Sequence, residues 1–237
     1  MTTGDDQLRQ LARFVASVYL ETMTEHHPRS RYDVSGNIEA QYADDAETVL
    51  VNRLQITDLK TLQVAEESAL AKAYESLLRE VKVDTPLTCE LLKHIHEAIF
   101  GELFEWAGRW RRVNISKPGV VWPAAAFLDQ SMQTFERDVL HRFPNGSITT
   151  DAEFSLAIGE IQGEFLAIHP FREGNARTIK LASDLLAAQT GRPLLQYDQS
   201  DEGANAYILA ASAAHSRKDY RPMTSLIEQA LVRARKH

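Results

Sequence analysis

From His169 the chain reads His-Pro-Phe-Arg-Glu-Gly-Asn-Ala-Arg177, and Lys180 stands three residues further on. The His169 imidazole can take a proton. The carboxylate of Glu173 can hold a divalent cation. Gly174 and Asn175 expose the loop's backbone, and Arg177 can fork onto phosphate oxygens. Apolar, helix-like runs precede and follow this stretch. It therefore reads as a polar loop between two helices, the second of which turns its N-terminus toward whatever the loop binds. Such an end offers unpaired N–H groups and the positive pole of the helix dipole, which suits phosphate. An ordinary corner between helices could carry any one of these residues, but it rarely needs all of them together.

The elements that must position these groups follow from periodicity. Thr150-Asp-Ala-Glu153 is a capping-box pattern, and Phe154, Ile158, Ile161, Phe165 and Ile168 then mark one face of a helix running into the loop. Beyond the loop, Ile179, Ala182, Leu185 and Leu186 continue to a Gly191-Arg-Pro193 stop. Upstream, the spacing predicts an amphipathic helix over 7–24, closed by His26-His27-Pro28, and then a polar connection over 29–48. A helix over 59–80 follows a Thr57 or Asp58 cap; Leu62, Ala65/Glu66, Ala69/Leu70, Ala73 and Leu77 lie on one side. Thr85-Pro86 opens another, reaching about residue 100, on which His94 and His96 face opposite ways and read as structural. Val113 and Ile115 alternate with Asn114 and Ser116, Lys117-Pro-Gly makes a turn, and Val120-Val-Trp122 returns, which is a β-hairpin signature. Helices over 124–142, 201–214 and 223–235 complete an all-α chain with one hairpin. An isolated hairpin is marginal, so this one must pack on the helices or lend its edge to a partner strand.

The 237 residues, 44% hydrophobic and 25% charged, are those of a soluble globular protein. A net charge of −7 argues against a nucleic-acid partner. The single cysteine, Cys89, excludes an internal disulfide and suits a reducing cytosol. No Cys/His cluster has zinc-ligand spacing. No apolar run approaches the roughly 20 residues of a membrane span, and the polar, acidic start is no signal peptide. The expectation is a cytoplasmic protein, or one delivered into a host cell by a machine that reads no such signal.

His169, Phe171, Glu173, Gly174, Asn175 and Arg177 fall at the fixed offsets of H-x-F-x-[D/E]-G-N-G-R-x-x-R, and on these six positions the chain resembles the Fic family. Trp106-Ala-Gly108 with Val113 to Lys117, Asn52 to Asp58, and Asp219-Tyr-Arg-Pro222 are similar to further family segments, so the likeness covers roughly 45–230. It divides the chain into an N-terminal helix and connection, 1–44, and a Fic domain, 45–237. The resemblance implies a Fic-type helical bundle whose hairpin is a flap beside the active-site loop. It also implies transfer of AMP from ATP to a Ser, Thr or Tyr hydroxyl of a target protein. His169 would be the base, Phe171 a core anchor, and Glu173 the ligand of Mg²⁺. Gly174, Asn175 and Ala176 with their backbone N–H groups would form the anion hole, and Arg177 and Lys180 would bind phosphates. The flap residues Val113, Asn114, Ile115, Ser116 and Lys117 would register the target by strand pairing.

Ala176 and Lys180 depart from the signature, which has Gly and Arg there. A position needing positive φ would charge alanine on the order of 1 kcal/mol. Lysine keeps the charge but not the planar fork, so a looser γ-phosphate follows. That leaves transfer of phosphate or UMP in the same fold as an alternative, with a catalytically silent binding module as a third reading. Many family members are held off by a helix carrying [S/T]-x-x-x-E-[G/N]. Ser35 to Glu39 matches five positions of it, as does Thr224 to Glu228; an antitoxin supplying the motif from outside is the other route.

Overall fold

The computed structural model describes residues 37–117 and 119–236. The helix expected over 7–24, the histidine pair after it and Ser35 lie outside the described residues. Among the described residues there are seven α-helices and one two-stranded hairpin. The helices are α1 (Leu59–Glu80), α2 (Cys89–Phe100), α3 (Leu128–Asp138), α4 (Asp151–Ile168), α5 (Asn175–Gln189), α6 (Asp201–Arg217) and α7 (Arg221–Ala234). The hairpin strands are β1 (Ser116–Lys117) and β2 (Val120–Val121), antiparallel with Ser116 opposite Val121.

α4 is the axis of the bundle, with α3, α5, α6 and α7 packed around it. Its apolar stripe, Phe154, Ile158, Ile161 and Phe165, is fully buried. Thr150 starts it with both bonds of the capping box in place. α7 crosses α4 at Gly159, where an added Cβ would lie 2.8 Å from the Thr224 backbone nitrogen, so only glycine permits the approach.

Three expectations shift in detail. Asp58 caps α1, but α2 begins at Cys89 under a Thr88 cap, later than Pro86. The Thr88 hydroxyl accepts from Leu91 N–H and satisfies an end donor that proline cannot. The helix expected over 124–142 is a short α3 flanked by 3-10 turns, Ala125–Phe127 and Leu140–Arg142. The consecutive Val139 and Leu140 are both buried, and the tighter turn brings both inward. The hairpin ladder is confined to 116–117 and 120–121, while Val113 is buried below it and Asn114 Oδ1 accepts from Ala125 N–H.

Residues 37–58 pack against the same core through Ile38, Tyr42, Val49 and Leu50. The Asp44 carboxylate ties that segment together by accepting from Thr48 and Val49 N–H. Cys89 is buried between α2 and α3, its thiol hydrogen bonding the Met132 carbonyl. No helix among the described residues is long and apolar enough to cross a membrane.

Candidate active site

α4 closes at His169, whose N–H donates to the Phe165 carbonyl at 2.8 Å. The residue itself is left-handed, with φ 53°. That conformation costs an L-residue about 1–2 kcal/mol, and it is held by the bonds around it. Arg111 Nε donates to the His169 carbonyl at 2.9 Å, and Arg111 N–H donates to the Pro170 carbonyl at 2.8 Å. The turn swings the imidazole off the helix line and against Trp122, with ring centroids 4.2 Å apart. Trp122 is fixed in turn by its Nε1–H, which donates to the Leu166 carbonyl at 3.2 Å.

His169 is half-buried, and burial pushes its pKa down to about 3, with the cations of Lys117 and Arg111 adding to the effect. A hydrogen bond to the Leu166 carbonyl opposes this more weakly. The ring is therefore neutral at physiological pH, as a base must be.

Past His169 the loop is closed on itself. Asn175 Oδ1 accepts from Phe171 N–H and its Nδ2 donates to the Phe171 carbonyl, both at 2.9 Å. The Phe171 ring is fully buried and stacks on His96 at 3.8 Å. His96 is a second fastening. Its Nδ1 accepts from Gly108 N–H at 2.9 Å, which assigns the ring proton to Nε2, and that atom donates to the Glu173 carbonyl at 3.1 Å. Burial pushes the His96 pKa down to about 3, so the neutral ring keeps both bonds.

Gly174 adopts φ 77° as the N-cap of α5, and an added Cβ would lie 2.2 Å from Phe100 Cε2. The glycine thus brings the helix start down onto an aromatic floor. Gly174 N–H donates to Glu173 Oε1 at 2.8 Å, so a carboxylate oxygen sits at the positive end of α5. Arg177 lies beside it, almost wholly buried, with its guanidinium 4.6 Å above the Phe100 ring. One of its nitrogens is 2.8 Å from Glu66 Oε2 on α1, and another is 3.6 Å from Glu173 Oε1. Burial raises the Glu66 pKa, and Arg177 opposes that rise.

Lys180 does not join this group. Its side chain is 2% exposed, and its ammonium lies 4.5 Å over the Tyr197 ring and 4.1 Å over the Tyr207 ring. Burial lowers its pKa, and Asp184 one helical turn on works against that. Gln162 links the hydroxyls of the same two tyrosines, so Lys180 belongs to a polar core between α4, α5 and α6. Ala176 is helical and nearly buried and is absent from the positive-φ residues, so the methyl costs no backbone strain.

The profile of the Fic/DOC family matches residues 86–187, which span α2, the hairpin, the loop and α5. Over residues 86–187 the chain is thus similar to the Fic/DOC family. The protein adenylyltransferase VbhT of Bartonella schoenbuchensis is 32% identical over 154 residues, covering 63% of this chain and 31% of the relative. A protein adenylyltransferase of Bartonella henselae is 28% identical over 197 residues, covering 76% of this chain and 35% of the relative. The chain thus spans about a third of the length of these curated relatives. The crystal structure of BepC from Bartonella tribocorum, a VirB-translocated effector with bound AMPPNP, superposes with a TM-score of 0.65 at 20% identity. That likeness covers 82% of this chain and 97% of the other.

Within the Fic loop the structure brings together His169, Glu173, Gly174, Asn175 and Arg177, with Ala176 on the first turn of α5. It places Lys180 elsewhere. Glu39 sits in a 3-10 turn, buried, with Oε2 accepting from Arg112 N–H at 2.7 Å, while Arg177 meets the carboxylates of Glu66 and Glu173. Glu228 is exposed on α7. Of the flap residues, Ser116 and Lys117 form β1, and Val113, Asn114 and Ile115 lead into it.

Four side chains of the site escaped the sequence reading as functional groups: Trp122, Arg111, His96 and Glu66. Glu66 carried a signal, since a carboxylate on the apolar stripe of α1 needs a buried partner. Arg111 and Arg112 are adjacent and alike, and nothing in the sequence says which is buried.

Proposed function

We propose that this Fic domain transfers AMP from ATP to a side-chain hydroxyl of a protein. The observation that carries the reading is one arrangement. A neutral His169 packs on the flap through Trp122 and stands at one end of a short closed loop; the other end of that loop is the α5 N-terminus with Arg177 beside it. The printed names of the two curated relatives and the AMPPNP in BepC support it.

In the reaction the acceptor oxygen attacks the α-phosphorus, and its proton passes to a ring nitrogen of His169. The bond between the α-phosphorus and the bridging oxygen breaks, and pyrophosphate leaves. Gly174 N–H, the neighbouring end donors of α5 and Arg177 hold the phosphate oxygens where negative charge builds. For this, Glu173 must turn away from Gly174 N–H, and an Mg²⁺ ion suits that carboxylate. Magnesium binds through one or two carboxylates plus substrate phosphates, and Glu173 is the loop's only carboxylate. When bound, the metal offsets phosphate charge. The nucleotide's own charge counters Lys117 and Arg111, so it lifts the His169 pKa from its low value toward working pH.

The acceptor segment adds to the flap as an extended strand, beside the exposed Val121. The hydroxyl is then placed by backbone bonds with little reading of sequence. The printed description of BepC is of a VirB-translocated effector, and a translocated effector is the corresponding proposal for this chain.

Incubation with α-labelled ATP, Mg²⁺ and lysate should label protein, and His169→Ala should abolish the label. No label on any protein from the unmodified chain would sink the reading. The burial of Lys180 against the Tyr197 and Tyr207 rings favours including α-labelled UTP and γ-labelled ATP in parallel. Signal from those alone would assign UMP or phosphate transfer instead.

A further inference from the structure

The flap ladder has two residue pairs, too few to hold a hairpin in place by itself. Its position must come from its base, where one buried side chain gathers three separate segments. Arg111 Nε donates to the His169 carbonyl at 2.9 Å, one terminal nitrogen to the Val113 carbonyl at 2.9 Å, and the other to the Pro123 carbonyl at 2.7 Å. Val113 enters the hairpin, Pro123 leaves it, and His169 is the base. A rigid planar guanidinium that meets all three carbonyls defines where they stand relative to one another.

A second fastening runs parallel to the first. Glu39 Oε2 accepts from Arg112 N–H at 2.7 Å, on the flap side. The Glu39 carbonyl accepts from Arg172 Nε at 2.7 Å, on the catalytic-loop side, and Arg172 also reaches the Tyr42 hydroxyl at 3.2 Å. Glu39 and Arg111 are 5% and 2% exposed, so both sets of bonds are shielded from water.

We propose that Glu39, Arg111 and Arg172 form a clasp that sets the flap relative to His169. They are then positioning residues for transfer to a protein acceptor, a role that rests on the AMP-transfer reading. Misplacing a reacting group by about 1 Å can cost about a hundredfold in rate. The nucleotide site at the α5 N-terminus lies outside the clasp, so loosening it separates acceptor transfer from nucleotide binding.

The test is hydrogen exchange of the flap amides, 114–117 and 119–121, in the full chain, together with AMPPNP·Mg²⁺ affinity and label transfer from ATP. Glu39→Ala should raise flap exchange by about tenfold or more. It should lower label transfer by about tenfold or more, with AMPPNP·Mg²⁺ affinity held within about twofold. Glu39→Gln keeps an acceptor oxygen for Arg112 N–H and should restore both flap protection and transfer. Arg111→Lys keeps the charge but cannot span three carbonyls, so its flap should exchange as fast as that of Arg111→Met. Wild-type flap exchange in Glu39→Ala would overturn the clasp. So would failure of Glu39→Gln to rescue, or a parallel fall in AMPPNP affinity. If the Arg111 variants do not fold, the Glu39 pair decides. If the unmodified chain transfers no label, the AMP-transfer reading fails, and the exchange measurement alone decides the clasp.

Discussion

Gly174→Ala is the sharpest single perturbation of the α5 N-terminus, because two independent effects meet there. The residue has φ 77°, a conformation that costs an L-side chain about 1–2 kcal/mol. The new methyl would also lie 2.2 Å from Phe100 Cε2 and 2.3 Å from Cζ, so the ring must move by more than about 1 Å to reach ordinary contact. It has little room to do so, with the Arg177 guanidinium 4.6 Å from its centre and the His96 ring 4.8 Å away. Overpacking of this kind costs about 1–3 kcal/mol. The sum is about 2–5 kcal/mol, which in a domain of this size lowers the melting temperature by about 5–15 °C. Thermal unfolding of the single variant, of Phe100→Leu and of the double variant separates the causes. Truncating the ring removes the clash and leaves the backbone penalty, so the cycle should show a favourable coupling of about 1–3 kcal/mol. A melting point within about 2 °C of the parent, or zero coupling, would show that the α5 N-terminus is not held against Phe100 as described.

Three further outcomes follow from the same geometry. The folded-state pKa of His96, about 3, lies below the unfolded value of about 6.5, so the unfolded chain binds the extra proton between them. Its contribution is complete above about pH 6.5 and is lost toward about pH 3, at up to about 1.4 kcal/mol per pH unit. Urea midpoints at pH 7 and pH 5 should show the fall, and His96→Gln should make it shallower; an unchanged slope would exclude His96 as the source. Glu66→Ala removes the 2.8 Å carboxylate from the buried guanidinium of Arg177 while Glu173 stays 3.6 Å away, and it should destabilise by about 1–3 kcal/mol in urea unfolding. Lys180→Arg restores the signature residue, yet it should lower stability by about 1–3 kcal/mol through crowding against Tyr197 and Tyr207. It should add nothing to AMPPNP·Mg²⁺ affinity by calorimetry, and a clear gain would place that side chain at the phosphates.

Much of this architecture was legible in the sequence where local rules act alone. The capping box at Thr150, the stripe of α4, the Gly191 stop and the loop between two helices each rest on residues a few positions apart. Legibility ends where the third dimension decides. Position 180 looks like a second phosphate ligand by its offset in the motif, but the face of α5 on which it falls is covered by Tyr197 and Tyr207. His96 looks like an ordinary helix histidine, and its meaning lies in Gly108 and Glu173, which only the fold brings to its two nitrogens. Pro86 and Thr88 both suit a first turn, and the carboxylate of Glu136, accepting from Cys89 N–H, favours the later start under the Thr88 cap. The hairpin's alternation ran further than its ladder because Val113 is buried by the bundle and not by strand pairing.

The burial of Cys89 has a practical side. A thiol reacts as its thiolate, and burial together with Glu136 pushes this thiol's pKa well above its ordinary range. The chain's one native sulfhydryl is therefore chemically silent toward maleimides and similar reagents. A cysteine introduced at the exposed Val121 would be the sole reactive thiol. A fluorophore or spin label there would report the flap's position in real time, with no need to remove the native residue first.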